Sequence, residues 1–249
     1  MESQSLYTET PAPAPAADKA SVIEDFLDIF YAPSQVFERR RDGQFGLALL
    51  LLVVIMVALY FATRAVMEPF YTVMVDMQME AARKGNPNLP AEALEKSRGM
   101  MEMMAPLYAI IGVPFIVLAS GFALWLVGKV FDSKQSLKQA LMVSTYAQIP
   151  RFLLGSLVTA ILAFVVGPEG IRNIFSLSLG LGRFAPEESS LMVKQFLNRI
   201  EVFTIWATVL LGIGLSITGR IPRRQAFMAA GIVWLLGTLL AVAGSARGG

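Results

Sequence analysis

The stretch TYAQIPRFLLG, from Thr145 to Gly155, decides how this chain is placed in a membrane. Apolar sequence flanks it, from Ala140 to Ile149 and from Phe152 to Val166, yet Pro150 and Arg151 stand together in the middle. Proline removes a helical hydrogen bond, and an unpaired arginine at the centre of a bilayer costs at least about 2.5 kcal/mol. As a helix the whole run would measure about 40 Å, and the part after Pro150 only about 22 Å, against about 30 Å of hydrocarbon.

We therefore predict a bent element at this stretch. An interfacial helix capped by Ser133 or Ser136 would end at Pro150, and a short crossing helix would follow. Arg151 would then reach back from just inside the membrane towards the headgroups on the side from which the helix enters. The alternative is a functional charge inside the membrane, the usual role of an ionisable residue there.

The composition of the whole chain is typical of a membrane protein. The chain has 249 residues, 55% of them hydrophobic, and a mean hydropathy of +0.58, more apolar than a soluble domain of this length needs to be. The net charge of +2 is too small to indicate nucleic acid binding. Because cysteine and histidine are absent, disulfides, thiol nucleophiles, Cys/His zinc sites and Ser-His-Asp triads are excluded. We expect no catalytic residues, no cofactor and no metal.

Five apolar segments are predicted to cross the membrane as helices, because the backbone must satisfy its own hydrogen bonds there. The predicted spans lie at about residues 45–63, 107–128, 150–166, 202–219 and 226–244. Residues 1–21 are predicted to form a disordered Pro/Ala-rich tail, and residues 22–249 a single membrane domain. The predicted fold class is all-α, a polytopic five-helix bundle with interfacial amphipathic helices.

Basic residues mark one side of the predicted bundle. Three clusters fall on the same side if the spans alternate in direction: Arg39 to Arg41, then Lys129, Lys134 and Lys138, then Arg220, Arg223 and Arg224. The opposite loops are longer and rich in carboxylates. The positive-inside rule then places the N-terminus in the cytoplasm and the C-terminus outside.

The segment before the first span, VIEDFLDIFYAPSQVFERRR at residues 22–41, has an amphipathic pattern. Its apolar residues recur at helical spacing opposite a row of carboxylates, with Ile23, Phe26, Leu27 and Phe30 on one side and Glu24, Asp25 and Asp28 on the other. Pro33 suits the start of a second helix. We expect this segment to lie on the cytoplasmic leaflet or on the bundle itself.

Methionines are clustered between the first two spans, in MVDMQM at 74–79 and MMEMM at 100–104. Their helical spacing predicts a hairpin that extends both spans outwards. Methionine packs adaptably, and this is the favoured interpretation, while Cu(I) binding by the thioethers is the alternative.

Small residues lie in the fourth span. Gly212 and Gly214, with Ser216 and Thr218, follow small-xxx-small spacing and are expected to allow close helix contact. The preceding run LMVKQFLNRIEVF is predicted to continue without a break into that span.

Four stretches together resemble the Yip family of five-span membrane proteins, the integral membrane partners of Ypt/Rab GTPases. The stretches are FLDIFYAPSQVFERR, SLKQALMVSTYAQIPRFLLG, FTIWATVLLGIGLSITG and AFMAAGIVWLLGTLL, and the likeness covers most of residues 22–244. The resemblance implies a compact five-helix bundle with a cytoplasmic N-terminus. The short tail looks more like a bacterial member, which implies the inner membrane and no Rab partner.

The function expected from these features is a non-enzymatic scaffold or adaptor of the Yip type in membrane organisation or trafficking. The alternative is a small-solute or ion transporter. The expected partners are the lipid bilayer and membrane or cytoplasmic proteins that the sequence does not identify. Association with further copies of the same chain is a third alternative. The candidate interaction residues are Phe30, Pro33, Pro150, Arg151, Trp206, Gly212 and Gly214.

Overall fold

A computed structural model describes residues 20–245 of the chain, apart from Leu89 and Glu187. Residues 1–19 of the predicted tail therefore lie outside the described residues. The α-helices of the described part are α1 Val22–Asp28, α2 Pro33–Arg39, α3 Gly46–Gly85, α4 Ala91–Val130, α5 Leu137–Val166, α6 Leu191–Asn198, α7 Val202–Gly219 and α8 Arg223–Ser245. Five of these, α3, α4, α5, α7 and α8, are long and apolar enough to cross a membrane. The predicted all-α class with five spans is confirmed.

The bundle has two unlike ends. One end holds the short connections at residues 40–45, 131–136 and 220–222, and we call it the basic side because the three basic clusters lie at or next to these turns. The other end, the hairpin side, holds the turn at residues 86–90 and the long connection at residues 167–201, which includes α6.

Helices α3 and α4 extend well beyond the membrane on the hairpin side. Each is 40 residues long, or about 60 Å, which is twice the thickness of the hydrocarbon. The outer parts, residues 66–85 and 91–109, form the methionine-rich hairpin expected from the sequence, and we call them the arm. A small cluster of buried side chains, Val75, Met79 and Leu94, holds the two helices of the arm together.

Helix α5 is a single helix through Pro150, so the predicted break at this residue is wrong. Its start matches the sequence, because Ser136 forms a capping box with Gln139. The following residues, however, do not lie at an interface. Every residue from Met142 to Pro150 is buried, and Gln148 is only 4% exposed.

Polar residues of α5 are buried because they find partners on neighbouring helices. Ser144 Oγ donates to the carbonyl oxygen of Val117 at 2.7 Å, and Gln148 Nε2 lies 3.4 Å from Ser120 Oγ, both on α4. A buried polar group that is hydrogen-bonded loses most of its desolvation penalty. Ser144 and Gln148, which lie in the helix predicted at the interface, therefore make interhelical contacts instead.

Helices α1 and α2 form a short hairpin that lies along α7. Arg41 Nη2 donates to the carbonyl oxygen of Ile217 at 3.2 Å, and the rings of Phe30 and Trp206 meet edge to face with centroids 5.7 Å apart. These two contacts are separated by about 16 Å along α7. The tip of the hairpin therefore lies beside the part of α7 that is remote from the basic side.

Small residues of α7 lie where other helices come close. A Cβ atom at Gly212 would lie 2.5 Å from Cδ1 of Phe227 on α8. A Cβ atom at Gly214 would overlap Val143 of α5 and lie 3.2 Å from Cζ of Phe37 on α2. The two glycines therefore let α7 approach three other helices.

Candidate functional site

A cavity of about 730 Å³ opens at the foot of the arm. It lies between α3 and α5, with the segment at residues 174–179 and the start of α7 closing one side. Its walls are largely apolar, but several polar side chains converge on it: Arg64, Glu68, Gln78, Arg151, Ser156, Thr159, Ser178, Asn198 and Glu201. An apolar cavity with a few convergent polar groups is the usual form of a small-molecule site.

Tightly packed side chains close the cavity towards the basic side. Leu124, Met142, Tyr146 and Ile149 are each 0% exposed and belong to the main hydrophobic core. Among the described residues, this packed layer separates the cavity from the basic side of the bundle.

Arg151 is the charged residue of α5 that faces this cavity. Its Nη1 lies 3.5 Å from Oε1 of Gln148, at the limit of a hydrogen bond. Among the described residues, no carboxylate lies within the 4.0 Å of an ion pair with it. The expectation that Arg151 reaches back towards the basic side is wrong, because the helix continues past Pro150 and carries the side chain into the opposite half of the bundle.

Glu201 is the closest counter-charge and has a structural task of its own. It caps α7, accepting from the backbone N–H of Phe203 at 3.2 Å and from Thr204 Oγ1 at 2.7 Å. It also pairs with Gly180 in an isolated antiparallel bridge. The helix is therefore interrupted between α6 and α7, because the cap and the bridge hold residues 199–201 in a non-helical conformation. The prediction of one unbroken helix through LMVKQFLNRIEVF is wrong.

Arg199 adds a second positive charge next to Glu201. Its guanidinium faces α8, where Nε lies 3.4 Å from Thr238 Oγ1. Burial lowers the pKa of Arg199, and the nearby charge of Arg151 lowers this pKa further. Arg199 is therefore a neighbour of Glu201 on the side of α8, and the charged residues that line the inner part of the cavity are Arg151 and Glu201.

Arg64 and Glu68 lie at the mouth of the cavity, and both are exposed. Arg64 follows the start of α3 by about 27 Å of helix, so it stands close to the far edge of the hydrocarbon. The mouth therefore carries one charge of each sign.

A second charged cluster joins α1 to α2. Asp25, on α1, is 0% exposed, and it accepts from Arg39 Nη2 at 2.7 Å and from Arg40 Nε at 2.5 Å. The hydroxyl of Tyr31 and the guanidinium of Arg39 both lower the pKa of Asp28 beside it. The amphipathic pattern is thus oriented differently from expectation: the carboxylate of Asp25 points inwards.

The apolar residues of α1, which the sequence predicts to lie together on one side, divide between two faces. Phe26 is buried, but Ile23 and Leu27 are 66% and 62% exposed. Asp25 can occupy the inner face because the arginine cluster that follows α2 folds back onto it. Nothing in a helical pattern along α1 alone could show this.

The predicted interaction residues fall into three places. Phe30 and Trp206 meet at the tip of the α1–α2 hairpin, and Pro33 begins α2. Gly212 and Gly214 lie at helix contacts, and Pro150 is buried inside α5. Arg151 is the member of this set that lines the cavity.

Sequence reasoning missed most of the cavity's polar residues. Glu201 lies in the sequence at the edge of the predicted span 202–219, and Arg64 and Asn198 belong to no motif. The sequence signal that could have found two of them is a charge at the hairpin-side end of an apolar run. Arg64 and Glu201 both stand at such an end, whereas Arg151 lies in the middle of its run.

The fold and the cavity define the class of protein: a helical membrane protein with five candidate spans and a polar cavity on one half of its bundle. Residues 27–244 match the model of the Yip1 domain family, and the chain belongs to this family. It is similar to the membrane protein YknW of Bacillus subtilis (strain 168), with 27% identity over 208 residues that cover 83% of each chain. No solved structure matches the chain. The resemblance to the Yip family seen in the sequence is confirmed.

Proposed function

We propose that the protein is a non-enzymatic membrane adaptor of the Yip type that engages another membrane protein through the arm. The observation that supports this proposal is the length of α3 and α4, which extends a paired helical surface about 30 Å beyond the hydrocarbon. A protein that only spanned the bilayer would need helices half as long.

The surface of the arm supports the same proposal. Met100, Met103 and Met104 are 52%, 73% and 37% exposed, whereas Met79 is buried between the two helices. Flexible, polarisable methionines are frequent on surfaces that adapt to a partner. The nearby carboxylate and guanidinium of Asp76 and Arg98 form an ion pair across the arm and keep its two helices in register.

The orientation proposed for the adaptor follows the positive-inside rule, which places the basic side and the N-terminus in the cytoplasm. The arm and the cavity then lie at the outer face of the membrane. A bacterial inner membrane is the proposed location, and a second copy of the chain is one of the partners that the arm could bind.

The test is the size of the complex extracted from native membranes in mild detergent. Changing Met100, Met103 and Met104 to serine removes the exposed thioethers, and we expect the complex to shrink to the size of the isolated protein. Met228→Ser is the matched control, because Met228 is also 52% exposed but lies on α8. A complex that survives the triple change, or a wild-type protein that is extracted alone, contradicts the proposal.

A second candidate function, transport of a small solute, is favoured by one observation: Arg151 and the cavity lie inside the bundle. Transport would require the packed layer around Tyr146 to open. Uptake of a fluorescent organic anion into vesicles containing the purified protein tests this, and equal uptake by wild type and Arg151→Gln excludes Arg151 from such a pathway.

A further inference from the structure

The guanidinium of Arg151 has more hydrogen-bond donors than the described residues around it can satisfy. Arginine carries five N–H donors, and among the described residues the acceptor within hydrogen-bond reach is Gln148 Oε1 at 3.5 Å. Glu201 already accepts from Phe203 and Thr204. The nitrogen atoms of Arg151 that lack a partner are not fully buried among the described residues. Because Arg151 lines the cavity, these remaining donors face it.

The unused donors of Arg151 select a ligand that brings acceptor oxygens. Among the described residues Arg151 forms no ion pair, since no carboxylate lies within 4.0 Å of it and the oxygens of Glu201 accept from Phe203 and Thr204. Because the surroundings are apolar and poorly solvated, an anion at Arg151 would form a charge-assisted hydrogen bond of the strong class. Oxygen atoms of a phosphate match the planar fork of a guanidinium.

The mixture of apolar and polar residues in the rest of the cavity favours a ligand that has both a polar and an apolar part. Apart from its polar residues it is lined by apolar and aromatic side chains, among them Met56, Leu59 and Phe152. Its volume of about 730 Å³ suits a headgroup and the first part of an acyl chain. The mouth at Arg64 stands at the depth where hydrocarbon gives way to headgroups, so a lipid can enter without leaving its leaflet.

We propose that this cavity binds the phosphate headgroup of a membrane phospholipid from the hairpin-side leaflet, with Arg151 as the main anion contact. The lipid phosphate lies at the deep end beside Arg151, and the acyl chains extend between α3 and α5 into the bilayer. Asn198 and Ser156, which also line the cavity, supply further polar contacts to the headgroup. A phosphate beside Arg151 satisfies the donors that the described residues leave free.

The test is equilibrium binding of fluorescent phosphatidylglycerol to the purified, delipidated full chain in a neutral detergent. We expect Arg151→Gln to weaken binding on the order of tenfold or more, the loss of one charge-assisted contact. Arg151→Lys keeps the charge and should retain part of the affinity. Arg224→Gln is the matched control, because Arg224 is exposed on the basic side, and it should bind as wild type does.

Two competitors identify the chemistry of the ligand. Unlabelled phosphatidylglycerol should displace the probe, whereas diacylglycerol, which lacks the phosphate, and glycerol phosphate, which lacks the chains, should not at the same concentration. If diacylglycerol competes as well as phosphatidylglycerol does, the proposed role of the phosphate is wrong. If glycerol phosphate competes equally well, the ligand is a soluble phosphate ester and the proposal of a lipid is wrong. Unchanged affinity in an Arg151→Gln protein that melts as wild type does overturns the proposal altogether. The arm variants used to test the adaptor leave this site intact, so the two proposals fail separately.

Discussion

Asp25 shows at the scale of one residue how the N-terminal hairpin is held. It is 0% exposed, and Arg39 and Arg40 neutralise it. Two of the arginines that mark the basic side therefore act first as ion-pair partners inside the protein. Their remaining charge towards the membrane surface is smaller than a count of basic residues indicates.

Removing the charge of Asp25 is expected to cost about 3 kcal/mol, because it takes the buried carboxylate from between Arg39 and Arg40 and leaves Asp28, which pairs with Arg39 alone, as the remaining counter-charge. Asp25→Asn should lower the melting temperature in detergent by about 6–12 °C. The control is Asp42→Asn, an exposed aspartate in the turn before α3 that should be neutral. Equal melting of the two variants would mean that the cluster contributes nothing to stability.

Glycines of α7 differ in how much room their neighbours can make. A Cβ at Gly214 would meet Val143 and Phe37, which are both 0% exposed and cannot move away. At Gly212 the obstacle is the ring of Phe227, which is 40% exposed and can rotate.

We therefore expect Gly214→Ala to destabilise the protein by about 1–3 kcal/mol, the cost of overpacking a filled core, and Gly212→Ala to cost less. Thermal unfolding in detergent measures both. Gly231→Ala serves as the control within a helix, since a Cβ there meets nothing within 4 Å. The assignment of α7 as a close-packed helix fails if Gly214→Ala melts at the same temperature as Gly231→Ala.

The α1–α2 hairpin, at the scale of an element, combines a buried ionic face with an exposed apolar face. Ile23, Leu27 and Tyr31 are 66%, 62% and 74% exposed and lie on successive turns of one side. The contact between Phe30 and Trp206 places the tip deep beside α7. We therefore expect this exposed apolar side to face lipid rather than water.

A spin label at Leu27→Cys tests this placement, and the chain has no cysteine of its own to interfere. In lipid vesicles we expect the label to collide more often with oxygen, which concentrates in hydrocarbon, than with a water-soluble nickel chelate. Lys134→Cys, exposed in a turn on the basic side, should show the opposite preference. A label at residue 27 that is as open to nickel as the one at residue 134 would place the hairpin in water.

The whole molecule is asymmetric across the membrane, with short basic turns at one end and the arm, the cavity and α6 at the other. If the basic side is cytoplasmic, an impermeant thiol reagent added to intact cells should label Asn88→Cys in the turn of the arm. It should label Lys134→Cys only after the membrane is opened. The reverse pattern would invert the proposed orientation and place the arm in the cytoplasm.

The span count and the helical class follow from the sequence because hydrophobicity is a local property. About twenty apolar residues in a row cross the bilayer wherever they stand in the chain. The hairpin of the arm was also readable, since methionine spacing, the Asn-Pro-Asn turn and the start of α4 are all local signals. So was the cap at Ser136, which depends on a residue three positions away.

Tertiary structure alone decided the continuity of α5, the inward face of α1 and the surroundings of Arg151. Each depends on contacts between residues that are far apart in the chain. Ser144 bonds to Val117, and Asp25 pairs with Arg39 and Arg40. Arg151 shares its cavity with residues as distant in the sequence as Arg64 and Glu201. The sequence around a polar residue in an apolar run does not show whether its side chain meets headgroups, water or a partner on another helix. The free energy of burying it depends on that partner, and only the packed bundle supplies one.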